Sequence, residues 1–140
     1  MNMKKMIWFK LRLVMGLIFL WAFVDKLFGL GFATKSENSW LNGGSPTSGY
    51  LLNATHGPFA EFFKSLAGVA VVDWLFMVGL LFVGLTLLIN RFVSWGAIAG
   101  GVMMALMWLS AFPPANNPVL DEHLVYILVL VLLAYRSKDS

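Results

Sequence analysis

The chain has 140 residues, 59% of them hydrophobic and only 12% charged, with a formal net charge of +3 and a mean hydropathy of +0.79. A soluble domain carries about 25% charged residues, so most of this apolar surface must face lipid or other buried helices, and the length allows one domain. There is no cysteine, which removes disulfides, thiolate metal sites, CxxC redox chemistry and covalent haem attachment.

Taken in order, Met1–Lys10 supplies a basic start (Lys4, Lys5, Lys10) to the first apolar run. That run ends in Asp25-Lys26 without a small-x-small cleavage site, so it reads as a retained first span over about 6–28 rather than a signal peptide. Within it Arg12, Gly16, Phe19, Phe23 and Lys26 fall within roughly 40° of a common line on one helix face. Residues 31–68 are polar and rich in turn formers, notably Asn42-Gly43-Gly44-Ser45-Pro46. Inside that loop Phe59, Phe62, Phe63 and Leu66 recur at helical spacing after Gly57-Pro58, which predicts a short amphipathic helix at the membrane surface.

A second span follows over about 69–89, with Asp73 and Trp74 near its start as cap or interface residues. Asn90-Arg91 separates it from a third span over 92–112, so these two must form an antiparallel hairpin. At about 1.5 Å per residue the third run crosses a ~30 Å hydrocarbon core. Pro113-Pro114 ends it. Asn117-Pro118 reads as cap and first turn of a fourth span over about 119–135. Gly79 and Gly84 in the second span, and Gly96, Ala97, Gly100 and Gly101 in the third, are small residues of the kind that let helix backbones approach in lipid. The expected fold is all-α: a polytopic four-helix membrane bundle with a long external loop carrying a short amphipathic helix.

Lys and Arg in short connections set orientation. Lys4, Lys5, Lys10, Arg12, Arg91, Arg136 and Lys138 fall on one side of four spans, while 113–123 carries no Lys or Arg. Both termini are therefore expected in the cytoplasm of a cell-membrane protein, with the long loop outside. This charge pattern does not suit nucleic acid.

The polar groups able to act cluster toward the external side. Asp121-Glu122-His123 is the densest triplet. Acids there are favoured by the helix dipole at the mouth of the fourth span. Equally, Glu122 and Tyr126 share a face and, beside Asp25-Lys26, would form a charged network beneath the loop. Two histidines without HxxxH or His-x-His spacing give no metal site. Arg12 admits two readings: its head snorkels to the cytoplasmic surface, or it points inward along the stripe.

Four segments resemble, in order, the DoxX family of small four-span membrane proteins. They are the first-helix pattern Arg12-x3-Gly16-x2-Phe19-x5-Asp25-Lys26-Leu27, then Trp40–Thr47, Met104–Trp108 and Asn117–His123. The resemblance implies a four-helix membrane bundle. In its DoxD branch it also implies the large subunit of a thiosulfate:quinone oxidoreductase working with a small partner subunit. On that reading Lys26, Lys35 and Lys64 draw an anion to the outer mouth, near Trp40, Asn117 and Asp121. Quinone, as a co-substrate rather than a covalently bound cofactor, enters between helices and meets Trp21, Trp108 or Tyr126. Glu122 or His123 handles protons, beside Asp25 and Lys26. The alternative is a non-catalytic scaffold or accessory subunit in which the charged cluster only fixes the loop. Either role is compatible with a homo-oligomer in the bilayer. The topology carries a direct test: a reporter fused after Ser140 should be cytoplasmic, and an external signal would overturn the four-span arrangement.

Overall fold

Asn2 opens the first helix by accepting the amide of Lys5 on its side-chain oxygen, 2.9 Å away. From there α1 runs unbroken over Met3–Phe28 and stops at Gly29, which takes a left-handed φ of 69° and returns its amide to the Asp25 carbonyl. A side chain at Gly29 would meet the Lys35 carbonyl and Ser36 at 2.7 Å. Glycine is therefore required where the chain folds back over its own helix end. A computed structural model describes residues 2–139 and their side chains to residue 137.

The segment 29–69 forms a hood over one end of the molecule. It contains two single 3₁₀ turns, Ser36–Asn38 and Trp40–Asn42, and two short helices, α2 (Ser48–Asn53) and α3 (Ala60–Lys64). The amphipathic segment expected around Phe59–Leu66 holds only five helical residues, with Phe63 buried and Phe62 exposed. Three further long helices complete the fold: α4 (Ala70–Ile89), α5 (Val93–Ser110) and α6 (Glu122–Asp139). Asn90 and Phe92, both with positive φ, make the reversal between α4 and α5. No strand occurs among the described residues.

Helix α6 begins at Glu122 rather than Val119. Asn117 accepts the amides of Val119 and Leu120 to close a separate turn, and Asp121 accepts the amide of His123 at the helix entrance. The cap is thus Asp121, four residues later than the Asn-Pro pair suggests.

Helices α1, α4 and α5 are each long and apolar enough to cross a membrane. Helix α6 carries Glu122, Arg136, Lys138 and Asp139 within its 18 residues and falls outside that set. Apolar side chains such as Leu17, Ile18, Leu75, Val78, Trp95 and Ile98 cover the outer faces of the three apolar helices, as lipid contact demands.

Helix α4 packs against α1 on one side and α5 on the other, and α6 packs against α5. Met77, Val83 and Leu87 of α4 and Leu130 of α6 are fully buried, with Met15 and Phe19 of α1 and Ala97 and Met104 of α5 around them. Glycines set the interhelical distances. Gly16 of α1 faces Leu87 and Leu88, while Gly84 of α4 faces Leu20, so each helix lodges a leucine against the other's glycine. Gly96 lies directly against Thr86, and Gly100 faces Leu130, Val83 and Phe19 where all four long helices meet. Without a hydrophobic drive between helices in lipid, such close approach supplies the packing energy.

Arg12 resolves its two readings by reaching sideways. Its Nη1 donates to the Leu87 carbonyl and, at 3.4 Å, to that of Leu88, at the C-terminal end of α4. A cation is favoured there by the helix dipole and by carbonyls that lack an intrahelical partner.

The packing predicts opposite outcomes at two glycines. Gly96→Leu should lower stability by about 1–3 kcal/mol by forcing α5 away from Thr86. Gly101→Ala, which opens onto empty space in the interior of α5, should raise it by about 0.5–1 kcal/mol. Thermal unfolding of the detergent-solubilised variants measures both, and equal shifts would refute the close approach at Gly96.

Candidate functional site

Three polar clamps hold the hood on the helices. The first is Asp25, only 2% exposed. Its Oδ1 accepts the amide of Phe32 at 3.3 Å, and its Oδ2 accepts those of Ala33 and Thr34 at 2.8 and 3.0 Å. Charge-assisted bonds to three consecutive amides engage both oxygens of this carboxylate.

The second clamp is Asp73, which accepts the hydroxyls of Ser45 at 2.7 Å and Thr47 at 2.5 Å. Ser45 in turn accepts the Ser48 amide and hydroxyl, and the Ser48 hydroxyl accepts the Gly68 amide. One α4 residue thereby ties both ends of the hood's second half. The third clamp joins α2 to the end of α5: the Tyr50 hydroxyl lies 2.7 Å from Ser110 Oγ and donates to the Met107 carbonyl at 3.1 Å. The Ser110 carbonyl accepts the His56 amide. Burial pushes the Tyr50 phenol above the ordinary tyrosine range, the Ser110 bond opposes this, and the nearby Asp121 charge adds to it.

Beneath the clamps lies a cavity of about 440 Å³ between α4 and α5, roofed by α2 and α3. This is within the ~300–1,000 Å³ of small-molecule sites. Its wall is almost wholly apolar, including Phe63, Phe76, Val102 and Met107, and its polar groups are those of Lys26, Thr47, Tyr50 and Ser110. The Lys26 ammonium stands 5.9 Å from the centre of the Phe76 ring, within range of a cation–π contact.

The other residues singled out from sequence lie apart from this cavity. Lys35, Lys64 and His56 are exposed on the hood. Trp40 packs edge-on against Trp74 with ring centres 4.7 Å apart. Trp108 donates its indole N–H to the Val119 carbonyl at 2.7 Å, and Asn117 closes the adjoining turn. Asp121 pairs with His123 Nδ1 at 3.1 Å. Glu122 is exposed, and Tyr126 is partly buried against the helix core.

The charged corner expected from Asp25, Lys26 and the 121–123 triplet is therefore divided. Lys26 lines the cavity, Asp25 is turned to the hood's backbone, and Asp121–His123 closes the 111–121 connection. Among the described residues no three His, Asp or Glu side chains gather to hold a metal.

Tyr50, Thr47 and Ser110 are the site residues that sequence reasoning passes over. Ser110, a hydroxyl at the very end of an apolar run, is the one signal that could have drawn attention. No protein-family model, curated protein or solved structure matches the chain.

The clamps and the exposed acid should separate on substitution. Asp25→Ala strands three amides and should cost about 3 kcal/mol, whereas Glu122→Gln should stay within about 0.5 kcal/mol. A chemical-denaturation series in detergent reads the difference, and a mild Asp25→Ala would contradict the clamp.

Proposed function

We propose that the chain is a DoxX-like multi-pass protein of the cell membrane, acting as a subunit of a quinone-linked oxidoreductase of the thiosulfate:quinone type. In this arrangement α1, α4, α5 and α6 all span, the hood is external and both termini are cytoplasmic. Support for the fourth span comes from the exposed apolar face of α6, with Val125, Leu128, Val131 and Leu132 turned outward. Support for the orientation comes from the basic residues Lys4, Lys5, Lys10, Arg91 and Arg136, which gather at the end away from the hood.

The observation that carries the functional reading is the cavity itself. It is apolar along most of its wall, with hydrogen-bonding groups at one end, as a lipid-soluble ring with carbonyl oxygens requires. A quinone head there would lie beside Phe76 and Met107, with one oxygen accepting from Lys26 Nζ and another approaching the Tyr50 hydroxyl. A quinone that becomes a quinol gains electrons and protons in equal number. Tyr50, held by Ser110, is the cavity group placed to hand over a proton, in preference to Glu122 or His123. The reductant is oxidised on the partner subunit or at the hood, where Lys35 and Lys64 are exposed cations.

One observation favours the second reading, a non-catalytic accessory subunit. No carboxylate lines the cavity, and Asp25, Asp73 and Asp121 are all committed to structural bonds. In that case the cavity only seats a lipid.

Binding of a short-chain quinone to the purified protein in nanodiscs, followed by tryptophan fluorescence, tests the proposal. Saturable binding is expected, weakened at least tenfold (about 1.4 kcal/mol) by Leu106→Trp at the cavity wall. Binding that ignores this substitution would overturn the quinone site. Bound quinone without thiosulfate-dependent reduction in the presence of a partner would favour the accessory role.

A further inference from the structure

Lys26 is the one charged side chain on the cavity wall among the described residues. Its sequence neighbour Asp25 turns both oxygens to the amides of residues 32–34 and makes no ion pair with it, so its negative charge reaches Lys26 only through space. The sole ion pair within 4.0 Å among the described residues is His123–Asp121, elsewhere. What Lys26 has instead is the face of Phe76. An ammonium facing an apolar cavity with no anion in contact is costly, and the cost is relieved further when an opposite charge docks against it. A neutral carbonyl accepts a hydrogen bond from it but leaves the charge uncompensated.

The rest of the cavity specifies what must accompany that anion. Leu75, Val102 and Leu106 belong to the wall yet are 69%, 54% and 49% exposed on the outer surface of α4 and α5. The cavity therefore opens sideways, between two helices of membrane-spanning length, and not only toward the hood. Its volume is too small to enclose the two acyl chains of a phospholipid. At the polar end Ser110 Oγ donates to the Met107 carbonyl at 2.8 Å, so the Tyr50 proton can turn toward a second ligand oxygen without stranding that carbonyl. Thr47 is committed to Asp73 and adds no donor.

We infer that this cavity binds a single-chain amphiphile with an oxyanion head, a long-chain carboxylate, seated with its head on Lys26 and its chain running out between α4 and α5. The inference rests on the same cavity as the quinone reading and adds a requirement for negative charge that a quinone does not meet.

The test uses the full-length protein in nanodiscs of zwitterionic lipid, with brominated palmitate quenching tryptophan fluorescence and unlabelled competitors displacing it. Palmitate should compete at least tenfold better than its methyl ester or hexadecanol, and Lys26→Met should close that gap by weakening palmitate far more than the ester. Equal affinities of acid and ester for the unaltered protein would overturn the inference, and this arm needs no variant to fold. A gap that survives Lys26→Met would overturn the role of Lys26. Displacement by phosphatidylglycerol as effective as by palmitate would uphold the oxyanion head but overturn the single-chain ligand. A short-chain quinone that binds where palmitate does not would overturn this inference and leave the quinone site standing. Palmitate binding without quinone binding would do the reverse.

Discussion

A chain leaving an apolar helix has to find partners for backbone amides that no longer belong to any ladder. Here the residue that does so is Asp25, which sits inside the last turn of α1 and gathers the amides of Phe32, Ala33 and Thr34. This fixes the direction in which the hood departs. Asp73 then catches the hood at Ser45 and Thr47, and Tyr50 pins it to the end of α5. With all three in place α2 and α3 rest over the gap between α4 and α5, and that gap is the cavity. Remove the first carboxylate and the roof loses its starting point.

The long helices were legible because apolar runs of their length have few alternatives. The boundaries of α4 and α5 fall within two residues of the expected spans. Of the small residues, Gly84 meets the Leu20 backbone, Gly96 and Gly100 meet side chains of neighbouring helices, and Gly101 opens onto empty space. The start of α6 was not, because Asn117 and Asp121 are both good caps and only the geometry shows that Asn117 closes a separate turn. Of the hood, only the neighbourhood of α3 was legible, through the spacing of Phe59, Phe62, Phe63 and Leu66. The six-residue α2 is too short for a periodic signal, and both short helices depend on tertiary bonds for their existence.

The site was half legible for a related reason. Lys26 stood out as a charge at the end of an apolar helix. Its companions did not, since Tyr50 and Ser110 lie 60 residues apart in sequence and meet only through the fold. The apparent cluster of Asp25, Lys26 and the 121–123 triplet was a clustering in depth, not in direction. Adjacent helical residues diverge by about 100°, so Asp25 and Lys26 face different partners. The outcome is a separation of charges: the anions are used as mortar, and the cation is left facing the space.

Arg12 gives this arrangement a mechanical meaning. Its guanidinium grips the Leu87 and Leu88 carbonyls from the first half of α1, and Asp25 grips the hood from the last turn. The stretch of α1 between these two grips measures about 20 Å along its axis, so the helix behaves as a strut pinned at two points. Sliding it by a single turn, about 5.4 Å, would break both attachments together. Lys26 is consequently held at a constant depth, and piston motion of α1 is not available for admitting or releasing a ligand. Traffic through the cavity must instead come from breathing between α4 and α5, where Gly79 against Met103 leaves a flexible thioether as the nearest obstacle.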